Sequence, residues 1–153
     1  MVYLRKILVT TDLSEYSLAA VEYAASFGIL YSSTLHLLHV VEAREGQRGR
    51  NDAEAHRLLG EFIAKNISPD VKFIPVIRTG HAPEEICRFA EAEGVDLVVI
   101  ATHGRTGVRH MVMGSIAEKT VRLSNVPVLT VKPRALRESI IRDEDVEQEL
   151  HLR

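Results

Sequence analysis

Apolar residues in this chain gather into five short runs, separated by longer stretches with helical spacing. The runs are KILVT (6–10), LHLLHVV (35–41), KFIPVI (72–77), DLVVIA (96–101) and VPVLTV (126–131). Most of them are apolar at consecutive rather than alternate positions, which is the pattern of strands covered on both faces, as in a parallel sheet flanked by helices. Between the runs, Leu18, Val21 and Ala25 recur at spacings of three and four after Ser14, and Leu58, Leu59, Phe62 and Ile63 form a second stripe. A third helix is predicted from Pro83, a residue suited to a first turn; it buries Ile86, Phe89 and Ala90 and stops at Gly94. A fourth opens at 114–119, where Ser115 and Glu118 have capping-box spacing. Strand and helix alternate throughout, so the expected fold is a doubly wound α/β domain with right-handed crossovers.

At 153 residues the chain suits one domain, expected over 1–133. The polar, glycine-bearing stretch 42–50 reads as a mobile loop. Residues 134–153 carry a thin apolar stripe (Leu136, Ile140, Leu150) among many charges, as a peripheral or partner-bound helical tail would.

Charge adds a local rather than a global signal. The formal net charge is −2 with both signs spread along the chain, which gives no field for nucleic acid or an anionic membrane. No apolar run approaches spanning length, and the N-terminus lacks the order of a signal peptide. Cys87 is the single cysteine, so no internal disulfide can form and a reducing cytoplasm is the expected location. Its place in a helical pattern suits a small core residue better than a nucleophile.

Against this background ATHGRTGVRHMVMGS (101–115) stands out, with three glycines, two arginines, two histidines and no acid. It leaves the fourth strand, as TTDLSE leaves the first; if those strands are neighbours, both turns meet over one crevice outside the carboxyl ends of the sheet. Gly104 and Gly107 can expose backbone amides, and Gly114 with Ser115 opens a helix whose dipole adds positive charge. His103, Arg105, Arg109 and His110 add donors, so the segment suits phosphate. The bland alternative is that the glycines only make turns and Ser115 with Glu118 is an ordinary cap. Asp12 could accept from ribose hydroxyls or an adenine amino group, or cap the first helix with Glu15. Val40 is either an apolar wall for a base or plain core. His36 and His39, three apart in a strand, face opposite sides and cannot share a metal. His56, His81 and His151 read as surface or capping residues, and no HExxH, CxxC or EF-hand spacing occurs.

These residues resemble the universal stress protein family, whose ATP-binding members carry glycine, two residues, glycine, nine residues, glycine and serine or threonine. Here Ala101, Gly104, Gly114 and Ser115 take those places, so the first glycine is replaced by alanine. The likeness extends through KILVTTDLSEYSLAAVEYA, LHLLHVVE and SNVPVLTVKP to about Pro133. It implies a five-stranded parallel sheet in the order 3-2-1-4-5, of the adenine nucleotide alpha hydrolase-like type, with ATP or ADP across strands 1 and 4. It further implies that Thr10, Thr11, Asp12 and Val40 surround adenine and ribose, and that Ala101, His103, Gly104, Gly114, Ser115 and Ile116 follow ribose and phosphates. Arg105 and Gly107 join that set from their place in the same segment. Dimerisation through strand 5 (Val126 to Val131) is also implied, and an apolar edge of this kind calls for cover.

The expected function is a nucleotide-binding module of a stress or energy-status response, with an unidentified protein partner as one route for the signal. The alternatives are a nucleotide-free dimer and a slow ATPase or phosphotransferase. The chain lacks the Walker pattern and a residue assigned to an attacking water. A flavin site would want glycine after strand 1, and a phospho-acceptor site would want an Asp ending strand 3, where RTG stands instead. If magnesium takes part, phosphate oxygens and water are its expected ligands.

Overall fold

The computed structural model describes residues 1–43, 52–105 and 113–137. Five strands, β1 (Lys6–Thr10), β2 (Thr34–Glu42), β3 (Phe73–Gly80), β4 (Leu97–Ala101) and β5 (Val128–Val131), form one sheet in the order β3-β2-β1-β4-β5. Every pairing is parallel; Leu8 stands opposite His36 on one side and Val98 on the other. The helices are α1 (Leu18–Tyr31), α2 (Asp52–Asn66), α3 (Ala82–Ala92), α4 (Ser115–Leu123) and the single turn α5 (Arg134–Arg137).

Consecutive apolar residues go to opposite faces of the sheet, as its double cover requires. Ile7, Val9, Leu35, Leu37 and Val99 pack with α1 and α2, while Leu8, Leu38, Val98 and Ile100 pack with α3 and α4. β5 begins two residues later than its apolar run, because Pro127 has no N–H to give a ladder, although its carbonyl still accepts from Val98 N.

Two helices differ from their sequence patterns. In α1 the buried set is Ala19, Ala20, Val21 and Ala24, with Leu18 only partly buried. This helix is apolar nearly all round, so spacing could not choose its inner face; the sheet did. Its start also slips from Ser14 to Leu18, with Glu15–Ser17 wound as a 3₁₀ turn. In α2, Leu59 and Phe62 are buried with Ala55, whereas Leu58 is exposed.

α3 follows its pattern: Ile86, Phe89 and Ala90 are buried, and Gly94 turns the chain at φ 62°. Beyond β5, Pro133 and Leu136 are buried and Arg134 pairs with Glu22 of α1 at 2.7 Å, which ties the start of the tail to the domain. The expected loop over 42–50 from residue 44 onward, and the tail from residue 138, lie outside the described residues.

Candidate functional site

β1 and β4 are neighbours, so the turns leaving them converge. The first is held by its own side chains. Thr11 N donates to Leu38 O at 2.9 Å, Thr11 Oγ1 shares a 2.7 Å bond with Ser17 Oγ and accepts from Leu13 N at 2.9 Å, and Asp12 Oδ1 accepts from Ser14 N at 3.0 Å and from Ser14 Oγ. These short-range bonds hold Leu13 at φ 67°, a left-handed conformation that a leucine adopts only when its surroundings impose it. Asp12 therefore forms a turn with Ser14 rather than a capping box with Glu15; the residue before the 3₁₀ turn is Ser14, which makes no side-chain cap.

The second turn reaches across to the first. Arg105 N donates to Asp12 Oδ2, and Arg105 Nη2 donates to Asp12 O at 2.8 Å. Gly104 sits so near that a Cβ there would stand 2.7 Å from Asp12 Oδ2, and one on Gly114 would stand 3.0 Å from Thr102 O. A side chain at either position would crowd the close approach of the two turns, most severely at Gly104, before any ligand is considered. Thr102 N is tied to Val131 O at 2.9 Å, and Thr102 Oγ1 bonds His103 Nδ1 at 2.7 Å; His103 is buried.

At α4 the structure corrects the sequence. Gly114, not Ser115, occupies the N-cap position, with an extended backbone (φ −67°, ψ 155°) and no side-chain cap, so the capping box with Glu118 does not form. Its carbonyl accepts from Glu118 N at 3.0 Å, but its own amide is engaged by Thr102 O. Ser115 and Ile116 become the first helical residues, and their amides have no partner among the described residues. A helix start of this kind leaves donors open to an anion.

Over the two turns lies an open cleft of about 480 Å³. Of the expected site residues, Thr10, Thr11, Asp12, Val40, Arg105 and Ile116 line it. Ala101 does not; its methyl packs with the α1 side of the core. His103, Gly104, Gly114 and Ser115 stand behind or beside the cleft rather than on its wall, and Gly107, with Arg109 and His110, lies outside the described residues. Val40 has both roles considered for it, since it lines the cleft and packs against the α3 side of the core.

Pattern reading missed His39, Glu42, Glu54, Leu58, Ala82 and Ile86, which also line the cleft. They end β2 or lie in the first halves of α2 and α3. The only signal for them is topological, because every strand end and helix start at the carboxyl edge borders the same crevice.

Several other titratable groups have defined surroundings. His36 is edge-on to Phe89 with ring centroids 5.5 Å apart; its Nδ1 has no partner, and burial pushes the imidazole pKa down. His39 lies on the other face of β2, as the strand period requires. Burial likewise pushes the Cys87 thiol up, against reactivity. Hydrogen bonds from Arg57 hold the exposed Glu54 carboxyl below its usual range. Among the described residues no group of three His, Cys, Asp or Glu could hold a metal, and no helix is long and apolar enough to cross a membrane.

The model of the universal stress protein family matches residues 4–132. Universal stress protein MJ0577 of Methanocaldococcus jannaschii is 32% identical over 84% of this chain and 94% of its own length. The solved structure of MJ0577 superposes with a TM-score of 0.76 over 87% of this chain and 99% of that one. Universal stress protein YxiE of Bacillus subtilis is 28% identical over 83% of this chain and 98% of its own. The universal stress protein of Archaeoglobus fulgidus solved in complex with dAMP shares the fold at 18% identity, with a TM-score of 0.66 over 86% of this chain and 100% of that one.

Proposed function

The chain belongs to the universal stress protein family, and from that premise we propose that it binds ATP or ADP across the carboxyl ends of β1 and β4, as a dimeric, nucleotide-dependent module of a stress or energy-status response. The observation that carries this reading is the cleft itself, lined by Arg105, Ile116 and Val40, with two unspent amides at the start of α4. In this reading Val40 flanks adenine while Thr10, Thr11 and Asp12 meet the base and ribose. The phosphates turn toward Gly104, Ser115 and the amides of Ser115 and Ile116. The complexes of relatives with dAMP and with cAMP support an adenine nucleotide as the ligand class.

The residues present fit such a ligand. Magnesium would neutralise phosphate charge, held by phosphate oxygens and water, since the protein offers no ligand cluster among its described residues. Gly114 N, engaged by Thr102 O, would have to be released to serve the phosphates; Ser115 N and Ile116 N need no such change. Calorimetry on protein stripped of carried-over ligand, with magnesium present, should show saturable ATP and ADP binding, and flat titrations would end the proposal.

The internal bonds of Gly114 N and Asp12 also favour a second reading, a dimer that works without nucleotide. Native mass spectrometry separates the two by co-purifying nucleotide. Both readings place the dimer contact on Val126 to Val131, where among the described residues β5 has β4 as its one strand neighbour and no strand on its outer edge. A cytoplasmic location, weak hydrolysis and a protein partner belong to this proposal as well.

A further inference from the structure

The cleft is chemically lopsided. The side where β4 ends and α4 begins supplies donors, namely the Arg105 guanidinium and the amide of Ile116, with the Ser115 amide beside the cleft. Its β2 side supplies His39 and Glu42, with Glu54 behind them already bonded to Arg57 through both carboxylate oxygens. A ligand that spans the cleft therefore needs an anionic end toward α4 and hydrogen-bond donors toward β2.

His39 is the group on that side whose state can be derived. Its Nδ1 lies 2.9 Å from Thr11 O, and a carbonyl only accepts, so Nδ1 carries the proton. In the neutral ring Nε2 is then an acceptor. No partner takes Nε2 among the described residues, and it is not among the buried unpartnered atoms, so it is open to solvent on a residue that lines the cleft. The neighbouring Asp12 is different: Ser14 occupies Oδ1 and Arg105 N occupies Oδ2.

We propose that His39 Nε2 accepts a hydrogen bond from the 6-amino group of the bound base, so that His39 makes the cleft prefer 6-amino over 6-oxo purine nucleotides. This rests on the nucleotide-binding reading above and goes beyond it by naming the residue that reads the base. Val40, next in the strand, supplies the apolar wall that sets the plane of the ring. A 6-oxo group would set one acceptor against another, and an unsubstituted purine would offer Nε2 no donor; both cost affinity relative to a 6-amino base.

The test compares magnesium complexes of ATP, inosine triphosphate, purine riboside triphosphate and dATP by calorimetry. The proteins are wild type, His39→Asn and His39→Gln, each checked for folding by thermal melting. Asn can still donate to Thr11 O but lacks an acceptor at the place of Nε2; Gln can present one. Wild type should bind ATP about tenfold or more tighter than the inosine and purine riboside nucleotides. His39→Asn should erase that preference while leaving binding of the purine riboside nucleotide in place, and His39→Gln should restore part of it. Equal binding of ATP and the inosine nucleotide by wild type would overturn the role of His39 while leaving nucleotide binding intact. Equal weakening of all ligands by His39→Asn would reduce the residue to a support for Thr11. A change confined to the ATP-to-dATP ratio would move its contact to the ribose. Failure of wild type to bind any nucleotide would remove both this inference and the reading beneath it.

Discussion

After β1 the chain closes on itself within a few residues, with Thr11, Asp12, Ser14 and Ser17 bonding one another and Leu13 held in a left-handed conformation. After β4 the bonds run outward instead, from Arg105 to Asp12, 93 positions away, and from Thr102 to Val131. The polar turn is a preformed base, and the glycine-bearing turn is fitted to it. That division explains why glycine suits 104 and 114 even without ligand: backbone there comes close to a carboxylate and a carbonyl. It also shows that glycine in such a motif is not by itself proof of a phosphate site, since close packing of two turns asks for the same residue.

Substitutions can break or sharpen this contrast. The largest effect is expected for Gly104→Val, which would place a branched side chain against Asp12 Oδ2. Loss of about 1–3 kcal/mol in urea denaturation should accompany loss of ATP binding, and an unperturbed variant would show that the second turn is not fitted to the first. Asp12→Ala should come next. It strips acceptors from Ser14 and Arg105 in a partly exposed setting, at about 1 kcal/mol. Asp12→Asn, which keeps an oxygen for Ser14, should recover part of that stability by the same measurement. The smallest effect is expected for Ala101→Gly. That change restores the family's glycine, but the methyl packs into the core and not into the cleft. A loss of about 0.5–1 kcal/mol in denaturation with unaltered ATP titrations is the expected result; tighter ATP binding would mean that the methyl reaches the ligand after all.

The exposed pairs of Arg57 with Glu54 and Glu61 on α2 set the background for such measurements. Surface ion pairs at this spacing add little, and their removal should not be confused with effects at the turns.

Local patterning by itself determined the strands, the helices between them and the two turns of interest, because consecutive apolar residues, a first-turn proline and a glycine stop act within a few positions. The order 3-2-1-4-5 came instead from likeness to a family, since no periodicity states which strand pairs with which. Tertiary structure alone decided which face of the largely apolar α1 is buried, that Gly114 rather than Ser115 stands at the N-cap position of α4, and that Gly114 N is already bonded. It alone brought His39, Ala82 and Ile86 to the cleft and fixed the proton on His39 Nδ1. Each of those outcomes depends on a partner from a distant part of the chain, so its energy is absent from any short window of sequence and arises only when the sheet assembles.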